Sequence, residues 1–246
     1  MRPTSRFTCG VSMSDFWMTQ RVLVVAPHAD DEAYGCAGTI AKVKAAGGEV
    51  FVIVASVGDL RHYGSGGVVA GETRAAELRA SMEHLKVDGY EILFTDAQSH
   101  LRLDAISRRD LVALLERDAK YAIEKVRPTV LVLPAPSYNQ DHEALFKAGF
   151  TACRPHRRED KPFIDLVVSC DAVQLGWGDA AFHPDFYVDI SDYLGAKLDA
   201  LAFHKSQLRP PPDPGSLENV ERLARLRGAE IAVEAAEAFE CHRVVL

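Results

Sequence analysis

No stretch of the chain approaches the roughly 20 consecutive apolar residues that a membrane-spanning helix needs. The amino-terminal MRPTSRFTCGVSMSDFWMTQ has no continuous apolar segment either, which argues against a secretory leader. Positive charge is scarce: 28 Lys and Arg against 35 Asp and Glu leave a formal net charge of −7. Without a basic run there is no footprint for a phosphate backbone, and nucleic acid is excluded as a partner. The five cysteines (Cys9, Cys36, Cys153, Cys170, Cys241) are odd in number and never spaced C-x-x-C. That excludes a thiolate zinc site and fits free or buried thiols in a reducing cytoplasm. No G-x-G-x-x-G follows the first apolar run, where acidic residues would repel a pyrophosphate, so dinucleotide binding is set aside.

What remains is an ordinary globular composition, 48% hydrophobic and 26% charged, over 246 residues. That length suffices for one α/β domain with a full core. Residues 1–20 read as an irregular arm, with Met18 as an alternative start, and residues 21–246 as a single domain. Removing the arm is expected to leave folding and activity intact. Short β-rich runs at 21–26, 49–55, 90–94, 129–133, 163–169 and 186–190 alternate with helical periodicity at 35–46, 72–85, 107–126, 141–153 and 191–206. Residues 56–69, with four glycines, read as a loop, 209–215 as a rigid connector and 218–239 as a long final helix. The β-α-β-α order implies a mostly parallel, three-layer sheet with right-handed crossovers. In such sheets the first and fourth strands often flank the point where strand order reverses, and ligands bind there.

Two clusters follow apolar strands. The first run, Leu-Val-Val-Ala-Pro-His-Ala-Asp-Asp-Glu, ends in His28, Asp30, Asp31 and Glu32; the second is Tyr138-Asn139-Gln140-Asp141-His142. Catalytic zinc takes three nitrogen or oxygen ligands and keeps a position open. His28 and Asp31 can aim at one point from a tight strand-to-helix turn, and His142 is the obvious third ligand. Asp30 is placed as general base, Asn139 could donate its amide NH₂ to an oxyanion, and Asp141 could orient a neighbour. Each has a duller explanation. Acidic residues at helix N-termini complement the macrodipole, which would explain Glu32 fully and Asp30 and Asp31 in part. Asp141-His142 alone would be a helix cap beside a surface histidine.

Pro27-His28-Ala29-Asp30-Asp31-Glu32 resembles the P/A-H-P-D-D-E signature of the PIG-L/LmbE-like deacetylases. Gly35-Cys36-Ala37-Gly38-Thr39-Ile40 is similar to the family's following L-G-C-G-G-T-I, and Asn139-Gln140-Asp141-His142 to its H-x-D-H. Arg74 and Glu77, His204-Lys205-Ser206-Gln207 and Ala236-Glu237-Ala238-Phe239 resemble further elements, so the likeness spans about residues 20 to 243. It implies a Rossmann-like three-layer α/β/α sandwich (LmbE-like) and hydrolysis of an N-acetyl group from an amino sugar or glycoconjugate. It makes His28, Asp31 and His142 the zinc ligands and Asp30 the base, and it implies a homo-oligomer, a trimer or hexamer. Fe²⁺ or another divalent ion could fill the same His₂Asp set.

Two departures matter. Ala29 stands for the usual proline, and Asn139 for the first histidine of H-x-D-H. Asparagine donates a hydrogen bond but cannot shuttle a proton. Asp30 then serves as base and acid, or another histidine approaches: His183 is the candidate, and His62 and His100 are others, though each taken alone reads as a surface residue. For substrate binding, Arg61 could hydrogen-bond sugar hydroxyls and Tyr63 could stack on a ring. Lys197 and Lys205 read as solvated, and Trp177 as part of a lid or a satellite core. Besides the deacetylase, two alternatives stand: a zinc amidase on a larger amide or thiol conjugate, and a catalytically weak metal- or sugar-binding protein, suggested by Asn139.

Overall fold

A computed structural model describes residues 13–61, 67–172 and 181–246. Strand β1 (Arg21–His28) is buried along nearly its whole length, as its Val- and Leu-rich run requires of a central parallel strand. Its side chains alternate: Val22, Val24 and Ala26 enter the core on one face, Leu23 and Val25 the core on the other.

After β1 come helix α2 (Asp31–Ala46), β2 (Glu49–Ser56), the two-residue strands β3 (Leu60–Arg61) and β4 (Val68–Val69), α3 (Gly71–Leu85) and β5 (Gly89–Phe94). The chain continues through α4 (Arg108–Ala113), α5 (Ile123–Val126), β6 (Val130–Pro134), α6 (Gln140–Ala152) and β7 (Leu166–Cys170). Last are β8 (Phe186–Asp189), α7 (Leu194–Ala202), α8 (Leu217–Glu230) and β9 (Ala236–Val244). The main sheet runs β5-β2-β1-β6-β7-β9-β8, parallel from β5 to β7, with β9 antiparallel to both of its neighbours. Helices on both faces complete the α/β sandwich that the element order implied. The order reverses between β1 and β6, the first and fourth strands of the sequence reading. Helix α2 stops where expected: Gly47, at φ 91°, takes the left-handed cap conformation and donates its N–H to Lys44.

Four expectations need correction. The long final helix ends at Glu230 and gives way to β9. Alanine and glutamate favour helix locally. Gly228, however, lets Val233 and Ala235 approach so closely that a Cβ would lie 2.7 Å from the Val233 carbonyl oxygen, and Ala232 turns at φ 61°. Pairing with β7 and β8 then outweighs propensity. The helix expected at 107–126 breaks, because Glu91 accepts the peptide N–H groups of Lys120 and Tyr121, at 3.0 and 2.6 Å. Lys197 is 3% exposed, not solvated: its ammonium donates to Glu237 and to the carbonyls of Ala33 and Tyr34. Lys205 is exposed as expected, in the turn after α7. The segment expected to be an irregular arm contains helix α1 (Met13–Met18), whose Trp17 is 3% exposed in the core beneath α2. Among the described residues no helix is long and apolar enough to cross a membrane.

Trp17 therefore belongs to the domain. Its replacement by alanine should cost about 3–5 kcal/mol. A chain beginning at Met18 should lose a comparable amount, read as a drop in the denaturation midpoint; an unchanged midpoint in both would contradict the packing.

Candidate metal centre

The centre is built on the peptide turn that leaves β1. His28 is the last residue of that strand, and its peptide N–H donates to Asp31 Oδ2 at 2.9 Å. The chain reverses through Asp30, whose φ of 120° and ψ of −28° lie in a region that residues other than glycine avoid. Asp31 and Glu32 then open α2. Across the sheet reversal, the loop after β6 feeds α6, where Asn139 Oδ1 accepts the Asp141 N–H at 2.9 Å as the helix cap. His142 stands in that helix's first turn.

Asp31 Oδ2 lies 3.2 Å from His28 Nδ1 and 3.4 Å from His142 Nε2. One ligand atom from each of the three residues falls within 4.8 Å of the others. Two imidazoles and a carboxylate are a donor set for a borderline divalent cation and leave a coordination position over. The other nitrogen of His28 is also fixed: Nε2 lies 2.9 Å from Oδ2 of Asp141, which is 0% exposed and whose Oδ1 accepts the Leu103 N–H. A carboxylate behind a ligating histidine sets its tautomer and orientation. On geometry and chemistry, the residues present fit a bound metal ion.

The electrostatics are those of a crowded cluster of ionisable groups. Burial disfavours charge on His28, yet hydrogen bonds to Asp141 and Asp31 outweigh it and raise its pKa to about 9. Burial likewise opposes ionisation of Asp31, but His142 and His28 hold its carboxyl well below the usual range. Asp30 is pushed up to about 7, by burial first and then by the charge of Asp31. His100 falls to about 4 through burial, Arg74 and His28.

A cavity of ≈ 270 Å³ opens over the cluster, and His28, Asp30, Asp31, Asn139 and His142 all line it. Asp141 sits beneath. Arg61 is exposed on β3, beside Leu60, which lines the cavity. His183 is exposed and is not part of the described lining; its peptide N–H donates to Glu240. His62, Tyr63 and Trp177 lie outside the described residues.

Three residues carry more than their sequence context suggested. His100, read as a surface residue, is 7% exposed, hydrogen-bonded to Ser56 and Arg74, with its ring edge-on to His28. Glu32, read as a dipole partner, is 1% exposed and bonded to the Asp30 N–H and to His204. Arg74, noted in the sequence as part of a family-like helix, is 2% exposed and lines the cavity. Its place was legible, since it shares the buried stripe of Leu78, Met82 and Leu85.

Residues 23–153, just over half of the chain, match the PIG-L family, described as GlcNAc-PI de-N-acetylase, and the chain belongs to that family. It is 27% identical over 203 residues to the probable N-acetyl-alpha-D-glucosaminyl L-malate deacetylase 2 of Bacillus subtilis, covering 77% of this chain and 84% of that one. It is 28% identical over 199 residues to the diacetylchitobiose deacetylase of Thermococcus kodakarensis, covering 76% and 70% respectively. A conserved protein of Thermus thermophilus superposes with a TM-score of 0.72 at 24% identity, over 93% of this chain and 97% of the other, and shares the fold.

The charge on His28 has a measurable consequence in the metal-free protein. Its folded pKa, about 9, lies above the ordinary 6.5. The resulting stabilisation is complete below the lower value and lost as pH rises through the higher one. Denaturation of metal-free protein from about pH 6 to 10 should show stability falling over that window, and His28→Gln should flatten the fall. An identical slope in the variant would contradict the assignment.

Proposed function

We propose that the protein is a zinc-dependent hydrolase that removes the acetyl group from an N-acetylated amino sugar or a related small glycoconjugate. The observation that carries this reading is the meeting of Asp31 Oδ2 with His28 and His142, beside Asp30 on a cavity wall. Membership of a family described as a de-N-acetylase, and relatives named as deacetylases of acetylated sugars, support it.

His28, Asp31 and His142 would hold the ion. When bound, such an ion acts as a Lewis acid that polarises an amide carbonyl and lowers the pKa of water to about 7. Asp30 takes the proton of the attacking water as its oxygen bonds to the acetyl carbon. Asp30 lines the cavity beside the three ligands, a place from which it can accept a proton and then give it back. Asn139 has its carbonyl oxygen engaged on the α6 cap, which leaves its NH₂ to donate to the oxyanion. As the C–N bond breaks, Asp30 returns the proton to the leaving nitrogen, giving acetate and a free amine. Asp141 keeps His28 in register. Arg74, in the cavity wall, offers guanidinium N–H donors to substrate hydroxyls, and Arg61 offers a cation at the rim. The free thiols Cys36, Cys153, Cys170 and Cys241 suit a cytoplasmic protein, and the family likeness suggests a homo-oligomer.

A second reading, a binding protein with little turnover, is favoured by Asn139, which removes the usual proton-carrying histidine. Acetate release from N-acetylated amino sugars and from larger amide and thiol conjugates, measured with zinc-loaded protein, separates the readings. Release from the sugars is expected. No release from any amide, with the metal bound, would overturn hydrolysis in favour of binding, and release from the larger conjugates alone would move the substrate class. Asp30→Asn should retain metal and lose on the order of 10²–10⁴ in kcat; full activity in that variant would remove Asp30 as the base.

A further inference from the structure

Glu32 has no part in the reaction as derived, yet it is 1% exposed and fully engaged. Its Oε2 accepts the peptide N–H of Asp30 at 3.1 Å, and its Oε1 lies 3.1 Å from Nε2 of His204. His204 is 0% exposed, and among the described residues its Nδ1 has no hydrogen-bond partner, so there the link to Glu32 is the hydrogen bond that its ring makes. The turn carrying His204 is tied down in its own right. Glu77 of α3 accepts the peptide N–H and the hydroxyl of Ser206, at 2.9 and 2.6 Å. Helix α3, the turn carrying His204 and Glu32 thus form a relay of hydrogen bonds whose last member holds one peptide N–H. That peptide belongs to Asp30, the residue with φ 120°. Such backbone strain persists only where the surroundings over-determine it.

We propose that Glu32, backed by His204, is a positioning residue that holds Asp30 in its strained conformation and so keeps the Asp30 carboxylate beside the His28–Asp31–His142 cluster. Its kinetic consequence rests on the deacetylase reading; its structural consequence does not. Without the Glu32 carboxylate nothing pins the Asp30 N–H, and the turn relaxes toward an ordinary conformation that swings the base away. Misplacing a reacting group by about 1 Å costs on the order of 10² in rate. Glutamine in place of Glu32 keeps an oxygen for the Asp30 N–H. His204 can meet the new NH₂ by moving its proton to Nδ1.

The test compares wild type, Glu32→Ala, Glu32→Gln and His204→Gln as full-length, zinc-loaded proteins. It reads kcat, KM, bound zinc and the hydrogen-exchange rate of the Asp30 amide by NMR. Glu32→Ala should lose about 10² in kcat with KM and zinc content unchanged. Its Asp30 amide should exchange about tenfold faster or more. Glu32→Gln and His204→Gln should stay close to wild type in both. An Asp30 amide equally protected in Glu32→Ala, or activity lost in proportion to zinc, would overturn the proposal. If Glu32→Ala does not fold, Glu32→Asp, one methylene too short to reach both partners, should show the same losses, and wild-type behaviour in it would be equally fatal. Exchange needs no substrate. A protein inactive on every acetylated sugar therefore refutes the functional reading, while the amide still decides the role of Glu32.

Discussion

One oxygen of Asp31 stands between two imidazole nitrogens, 3.2 Å from His28 and 3.4 Å from His142, and much of the fold serves to bring those three side chains together. The histidines are separated by more than a hundred residues, so only the adjacency of β1 and β6 makes them neighbours. Both strands are buried on both faces and parallel, which aims their carboxyl ends at the same rim. Gathering ionisable groups in a half-buried crevice is costly unless each is paired. Asp141 meets that requirement from below by taking Nε2 of His28 and the Leu103 N–H together. Each member of the cluster thus has a partner of opposite character within the fold.

Asn139 imposes a further constraint. With asparagine at this position, which donates a hydrogen bond but cannot shuttle a proton, the described cavity wall offers few groups able to carry a proton at neutral pH. His100 is close but buried, with its pKa down at about 4 and its nitrogens committed to Ser56 and Arg74. Its ring packs edge-on against that of His28. His183 is exposed away from the cavity lining. Asp30 remains on the cavity wall beside the cluster, in a backbone conformation that residues other than glycine avoid.

Much of this was legible in the residues themselves. Val- and Leu-rich runs ending in His28 and leading to Asn139-Gln140-Asp141-His142 gave the strands, their parallel order and the reversal that joins the clusters. What stayed hidden depends on partners distant in sequence. The 232–239 stretch is helix-like in composition and becomes a strand because β7 and β8 offer it hydrogen bonds. Lys197 and Glu32 look like surface charges until Glu237 and His204 are placed beside them. His100 has no local signal, because its burial follows from the Ser56 and Arg74 side chains that close over it.

The misread strand also bears on the centre. Helix α2 is broken at Cys36, where φ of −150° and ψ of 21° interrupt the ladder of peptide hydrogen bonds. Backbone groups orphaned in a buried helix must find other partners. Glu237 of β9 accepts the N–H groups of Gly38 and Thr39 on one side of the break, while Lys197 donates to the carbonyls of Ala33 and Tyr34 on the other. The two are joined as an ion pair at 2.6 Å. This buried pair patches the kink and lets the first turn of α2, carrying Asp31 and Glu32, take a direction of its own. A continuous helix in place of β9 would leave those groups without partners and the first turn without its aim. The antiparallel edge of the sheet is thus coupled to the cluster through four peptide groups of α2.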